Sequence, residues 1–284
     1  YLERPVRTTS INITMAGDPL SSARSPLLEE KAYDEPSVFV PNSLLREARR
    51  QKGLPKDSVP EVCVLDPDGD IVNYLHETDR AELVQSWPGY HTDLYRFEQD
   101  GITIGIIGRA VGASFAVLVA EQLFAAGCKL LISITSAGQI QPLEDPPYFV
   151  LIDRALRDEG TSHHYRPPDR YARADSELID LVEESCRTVS RPVYTGATWT
   201  TDAPFRETES AIEKTRSEDV LAVEMEAAAL YTFASVRDKR VACFAHVTNQ
   251  MGNAEVDFEK GVANGSQDAL EVVYATVQAL RTPE

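Results

Sequence analysis

Cysteine is scarce in this 284-residue chain, with only Cys63, Cys128, Cys186 and Cys243. They lie far apart and show no metal-ligand spacing, which argues against a metal site and against a disulfide framework. Three of them sit in apolar segments and read as reduced core thiols, as expected of a cytoplasmic protein. Long apolar runs are missing as well: none reaches the roughly 18 residues that a membrane span requires. Positive charge is short, with 28 Lys and Arg against 45 Asp and Glu, for a net charge of -17. That balance argues against nucleic acid as a partner, because a phosphate backbone demands a basic footprint. It leaves room for a small anion held by a few arginines or backbone N–H groups. The first residues, Tyr1-Leu2-Glu3-Arg4, carry no apolar secretory core and no initiator methionine, as expected of a trimmed chain.

What remains is the profile of a globular enzyme-sized chain, 43% hydrophobic and 26% charged. Residues 1–58 are rich in Pro, Ser, Arg and Glu, with little periodicity, and read as an irregular N-terminal extension draped over the domain or a neighbouring subunit. Within it, Ser43 to Gln51 suits a short helix capped by Asn42 or Ser43. From residue 59 to 284 the pattern is that of one domain. Val62-Cys63-Val64-Leu65 reads as a buried strand ending in the turn Asp66-Pro67-Asp68-Gly69. A hairpin is expected over residues 94–97 and 102–107, and further strands at 129–135, 148–154, 193–200 and 240–248. Helices are expected at 113–126, 176–189, 207–217, 225–237 and 265–281. Alternating strands and helices imply an α/β fold with a mixed, largely buried sheet.

In open α/β sheets, ligands bind beyond the carboxyl ends of strands, so chemistry is sought there. The turn Gly108-Arg109-Ala110-Val111-Gly112-Ala113-Ser114 opens a helix; it suits an anion, or is a plain strand-to-helix turn. Ile134-Thr135-Ser136-Ala137-Gly138-Gln139-Ile140-Gln141-Pro142 places small hydroxyls at a strand end, for a phosphate or ribose oxygen or for the local backbone. The polar stretch from Arg154 to Tyr165 is either a solvated loop or part of a site, and its histidines lack matching metal ligands. Thr198-Trp199-Thr200-Thr201-Asp202-Ala203-Pro204-Phe205-Arg206-Glu207 offers an aromatic wall for a flat heterocycle, with Asp202 open to a capping role. Ala245 to Asn253 brings the amides of Asn249 and Gln250 to a strand end, where they can read a heterocycle's edge or brace a loop.

The most informative run is Val223-Glu224-Met225-Glu226-Ala227-Ala228-Ala229-Leu230. It sets two carboxylates and a thioether at the start of a buried, alanine-rich helix. A carboxylate at the inner edge of a sheet needs a partner, and a sugar's hydroxyls supply one.

Taken in order, these segments resemble the nucleoside phosphorylase family, which includes hexameric purine nucleoside phosphorylase, uridine phosphorylase and the adenosylhomocysteine/methylthioadenosine nucleosidases. The likeness spans about residues 60–282 and is carried above all by Ala222-Val223-Glu224-Met225-Glu226-Ala227-Ala228-Ala229. Ser136-Ala137-Gly138-Gln139-Ile140-Gln141-Pro142, Asp158-Glu159-Gly160-Thr161-Ser162-His163-His164-Tyr165 and Thr200-Thr201-Asp202 support it. The resemblance implies a three-layer α/β/α fold with a mixed, partly barrel-like central sheet. It also implies a homo-oligomer (dimer or hexamer) and cleavage of an N-glycosidic bond without metal or organic cofactor, with inorganic phosphate as co-substrate. By residue matching, Glu226 would accept from the ribose hydroxyls, with Met225 against the sugar and Glu224 beside them. Phosphate would lie near Arg109, Gly112 and Ser136. The base would lie between Trp199 or Phe205 and Asn249, with Gln250 beside it.

Two departures bear on the reaction. Serine at Ser133 stands where phosphorolytic relatives commonly carry an arginine, and it cannot supply a bidentate anion contact. Asn249 stands where purine relatives place an aspartate acid, and an amide hydrogen-bonds a base without delivering a carboxyl proton. Phosphorolysis to free base and ribose 1-phosphate is therefore expected, with hydrolysis by water or non-catalytic nucleoside binding as the alternatives.

Overall fold

Apolar segments punctuated by polar turns become strands covered on both faces by helices. The computed structural model describes residues 25–250 and 259–280. In chain order the first half comprises α1 (Pro41–Lys52), β1 (Val62–Asp66), α2 (Asp70–Glu77), β2 (Glu82–Leu83), β3 (Tyr95–Gln99), β4 (Ile102–Gly108), α3 (Ala113–Ala125) and β5 (Leu130–Gln139). The second half comprises β6 (Tyr148–Asp158), β7 (Tyr171–Arg173), α4 (Ser176–Cys186), β8 (Val193–Thr201), α5 (Glu209–Arg216), β9 (Val220–Glu224), α6 (Ala227–Arg237), β10 (Arg240–Gln250) and α7 (Ser266–Ala279).

The sheet is mixed and partly closed. Strands β5, β10, β6, β8 and β9 pair in a ring, because β5 bonds both to β10 and to β9. Strands β1, β4, β3 and β2 extend from β5 as an open wing, and β7 pairs with β6. The ladders β1–β4, β1–β5, β5–β10, β6–β8 and β8–β9 are parallel, whereas β6–β10, β5–β9 and β3–β4 are antiparallel. One core lies under α1, α3 and α6, with Leu45, Val117, Leu131, Leu230 and Phe233 within it. The other lies under α2, α4 and α7, with Leu75, Ile132, Phe149, Val182 and Val273. These are the three layers and the barrel-like sheet that the sequence leads one to expect.

Differences from the sequence reading have local causes. Helix α1 begins at Pro41 after Val40, with no side-chain cap from Asn42 or Ser43. Proline is preset for the first helical position and has no N–H to satisfy. Strand β5 runs on to Gln139 instead of stopping near Thr135, since β10 and β9 supply ladder partners for Ser136 to Gln139. The short helix α2 and strands β2, β7 and β9 are too brief to show a period. Residues 1–24 of the expected extension, and Met251, Gly252 and Asn253 of the last strand-end segment, lie outside the described residues.

Helix α6 shows why alanine was needed. Every residue from Ala227 to Ala234 is buried, so the helix has no polar face and lies between α3 and the sheet. Its Tyr231 hydroxyl donates to the Ile152 carbonyl at 2.6 Å and accepts the Cys243 N–H at 3.0 Å. The β6–β10 ladder reaches only Phe244 and Leu151, so this hydroxyl bridges the next pair as the strands part. Tyr231→Phe leaves two buried backbone groups unpaired and is expected to cost about 2 kcal/mol in chemical denaturation. A loss within error would show that the strands close without the bridge.

Candidate active site

The carboxylates of Glu224 and Glu226 meet where β9 turns into α6. Glu224 is 3% exposed. Its Oε1 accepts from the hydroxyls of Thr198 and Thr200, and its Oε2 from the N–H groups of Glu226 and Ala227, both at 2.7 Å. The Thr200 hydroxyl in turn accepts the Ala228 N–H at 2.9 Å. Donors at the start of α6 that would otherwise lack partners are thus met from β8 and β9. Thr198 and Thr200 share a face of β8 because side chains alternate along a strand.

Glu226 is the residue that remains open. It sits at the N-cap of α6 but makes no capping bond with its side chain. Its Oε1 accepts the Gly112 N–H at 2.6 Å, tying α6 to the turn before α3. Its Oε2 is buried with no hydrogen-bond partner among the described residues, although the side chain is only 1% exposed. Burial pushes the Glu226 carboxyl up to about 8, the neighbouring charges of Glu224 and Asp68 add to the rise, and the Gly112 N–H and Thr135 hydroxyl oppose it. Burial likewise raises Glu224, against the pull of its four donors. Met225, between them, is half-buried.

The three residues expected to hold an anion each have an internal partner. Gly112 gives its N–H to Glu226, in a left-handed conformation (φ 88°) that suits glycine. Ser136 gives its N–H (2.7 Å) and hydroxyl (2.5 Å) to Asp68 on the β1–α2 turn. Arg109 is exposed and also left-handed (φ 64°); its guanidinium donates to Asn73 at 2.7 Å and lies along Gly69. Ser133 is buried on β5, its hydroxyl without a partner among the described residues.

The base-side residues divide. Asn249 and Gln250 end β10, opposite Gly138 and Gln139 of β5, and Gly138 pairs in turn with Val223 of β9. The register therefore sets Asn249 two strands, about 10 Å, from the residue preceding Glu224. Trp199 is not brought to the carboxylates. It lies between Thr198 and Thr200 and so points to the opposite face, 4% exposed, packed with Leu156, Ile212 and Val220 and donating to Asp158 at 3.0 Å. Phe205 is 99% exposed in the loop after β8. An aromatic wall built from these two is therefore absent among the described contacts. Asp202 accepts the Gly160 N–H at 2.8 Å and so links two strand-end loops.

Sequence reasoning does not reach Asp68, and it reads Thr135, Thr198 and Thr200 only as members of polar runs. The alternation of Thr198 and Thr200 was the available signal for a shared partner. Asp68 had none, since its partner lies 68 residues away on another strand. Among the described residues, no group of three His, Cys, Asp or Glu side chains is placed to hold a metal.

The pattern of the phosphorylase superfamily matches residues 61–278. A uridine phosphorylase of Thermococcus kodakarensis is 28% identical over 201 residues, covering 64% of this chain and 70% of that protein. A guanosine phosphorylase of Halorubrum lacusprofundi is 22% identical, covering 78% of this chain and 95% of the relative. The crystal structure of a uridine phosphorylase from Vibrio fischeri superposes with a TM-score of 0.67 at 21% identity, covering 81% of this chain and 95% of that one.

The raised Glu226 carboxyl has a consequence for stability. In the unfolded chain it ionises near its usual value of 4.5, whereas in the fold it keeps its proton to about 8. Between those values the folded state holds the extra proton, so stability falls as pH rises, by about 1.4 kcal/mol per pH unit. Glu226→Gln removes that dependence. The variant should match wild type in thermal melts at pH 4 and exceed it at pH 8; a constant difference at both would contradict a neutral Glu226.

Proposed function

The chain belongs to the phosphorylase superfamily, and from that membership we propose that it cleaves the N-glycosidic bond of a nucleoside by phosphorolysis, giving free base and ribose 1-phosphate. The observation that carries this reading is the Oε2 of Glu226, buried beside the half-buried Met225 and without a partner among the described residues. A buried acceptor without a donor is costly, and the ribose 2′- and 3′-hydroxyls are donors of the right kind. Donation to Glu226 favours its ionised form and brings a carboxylate next to the positive charge that develops on the sugar. Glu224 acts through position: its four acceptor contacts are internal, and they orient Glu226.

The names of the relatives support nucleoside chemistry, since they are called uridine and guanosine phosphorylases. The base is proposed to lie at the end of β10, where Asn249 and Gln250 offer amide donors and acceptors. Because Asn249 has no carboxyl proton to give, a base that leaves with hydrogen-bond help alone, such as a 6-oxopurine or a pyrimidine, fits better than adenine. Inorganic phosphate is the co-substrate, and no other cofactor enters the proposal. We assign the chemistry to residues 59–284, with the preceding residues as an accessory segment. A homo-oligomer is supported by exposed apolar side chains at Phe39, Val111 and Leu118. A cytoplasmic setting is supported by four unpaired, buried cysteines.

One observation favours hydrolysis as a second reading: the donors of Ser136 and Gly112 are already bonded to carboxylates. Base release from inosine, guanosine, adenosine and uridine, measured with and without phosphate, separates the two. Phosphate-dependent release is expected, falling about 100-fold or more in Glu226→Ala. Release independent of phosphate would replace phosphorolysis by hydrolysis. No turnover of any nucleoside would overturn catalysis itself.

A further inference from the structure

The donors of Ser136 face a carboxylate that had no need of them. Asp68 is exposed on the turn between β1 and α2, where water can solvate it. The turn is fixed without it: buried Asp66 accepts the N–H groups of Gly69 at 3.1 Å and Val72 at 2.9 Å. Strands β1 and β5 are parallel neighbours, with Leu65 opposite Ser133, so this turn lies beside the end of β5. There one oxygen of Asp68 takes both the N–H and the hydroxyl of Ser136. A backbone N–H and a hydroxyl converging on one oxyanion oxygen form a seat that a tetrahedral anion would also use. An anion and Asp68 cannot hold the same two donors at once.

The surroundings sharpen the competition. Gly112, the other expected donor, is taken by Glu226. Among the described residues, two cationic groups from adjoining segments are bonded elsewhere, Arg109 to Asn73 and Lys260 to Asp70 at 2.6 Å. An incoming phosphate must therefore displace a negative side chain and then remain beside it.

We propose that Asp68 is a built-in competitor for phosphate, seated on the Ser136 donors, and that it sets how much phosphate the site requires. The inference rests on the reading of Ser136 as an anion ligand of a nucleoside-cleaving site. Asp68 is thus a specificity-determining residue for the nucleophile: while it is seated, phosphate is held off, and its departure opens the seat.

Binding of inorganic phosphate to the full chain, measured by isothermal titration without nucleoside, tests this apart from turnover. Asp68→Ala should bind phosphate about tenfold or more tightly than wild type. Asp68→Asn, which keeps a neutral acceptor for Ser136 and preserves the turn, should fall between them. Adding Ser136→Ala to Asp68→Ala should abolish the gain. Equal affinity in wild type and Asp68→Ala, a gain that survives loss of Ser136, or no phosphate binding by any of the proteins would overturn the inference. Base release is followed in parallel to keep the two readings distinct. Unchanged phosphate affinity with base release intact removes Asp68 from this role and leaves nucleoside cleavage standing. Tighter phosphate binding in Asp68→Ala with no base release from any nucleoside does the reverse.

Discussion

A buried carboxylate that accepts four hydrogen bonds joins three elements of this molecule at one point. Glu224 ends β9, takes two hydroxyls from β8 and receives two N–H groups at the start of α6. Burying a carboxylate is costly unless its lone pairs are filled, and here all the filling is internal. The arrangement therefore fixes the direction in which α6 leaves the sheet. Glu226, two residues on, is held at the helix start with its side chain turned toward the α3 turn instead of along its own helix. The alanines that follow let α6 lie close between α3 and the sheet, so the junction is buried except at the half-buried Met225. The barrel closure between β5, β9 and β10 then brings the strand ends bearing Ser136, Glu224 and Asn249 to one rim.

The rim is acidic in a chain that is acidic throughout, and this shapes its chemistry. Donors that an anion would use are met by the protein's own carboxylates, Ser136 by Asp68 and Gly112 by Glu226. The Oε2 of Glu226 has no partner among the described residues. Among the described residues the rim is thus nearly self-satisfied: only the second oxygen of Glu226 lacks a donor, and the Ser136 and Gly112 donors are already engaged. A neutral sugar with adjacent hydroxyls complements that deficit directly, whereas phosphate has to compete for its place.

How much of this was legible in the sequence depended on the range of each interaction. The Glu-Met-Glu run at a buried helix start could be read locally, because its meaning lies in the alternation from strand to helix within a few residues. The main strands and helices were legible from their periods, and their order implied the layered α/β fold. The anion ligands were less so. Whether Ser136 is free depends on Asp68, a residue of a different strand's turn, and no local pattern records that pairing. Trp199 misled for a related reason. Its place in a polar run suggested a wall of the site, but strand alternation sends Thr198 and Thr200 to Glu224 and the indole to the opposite core. Phe205 stands exposed in the short turn after β8.

That ribose hydroxyls take the Glu226 oxygen left without a partner among the described residues is tested most directly by proton-linked calorimetry. Binding of inosine, guanosine and uridine would be measured at pH 7 without phosphate, in buffers of different ionisation enthalpy, beside their 2′,3′-dideoxy counterparts. With its carboxyl raised to about 8, Glu226 is largely protonated at that pH before a nucleoside binds. Hydroxyls donating to it should expel the proton. Proton release is expected on binding a ribonucleoside, and weaker binding without release for the dideoxy form. Equal affinities for the two, with no proton exchanged by either, would contradict it.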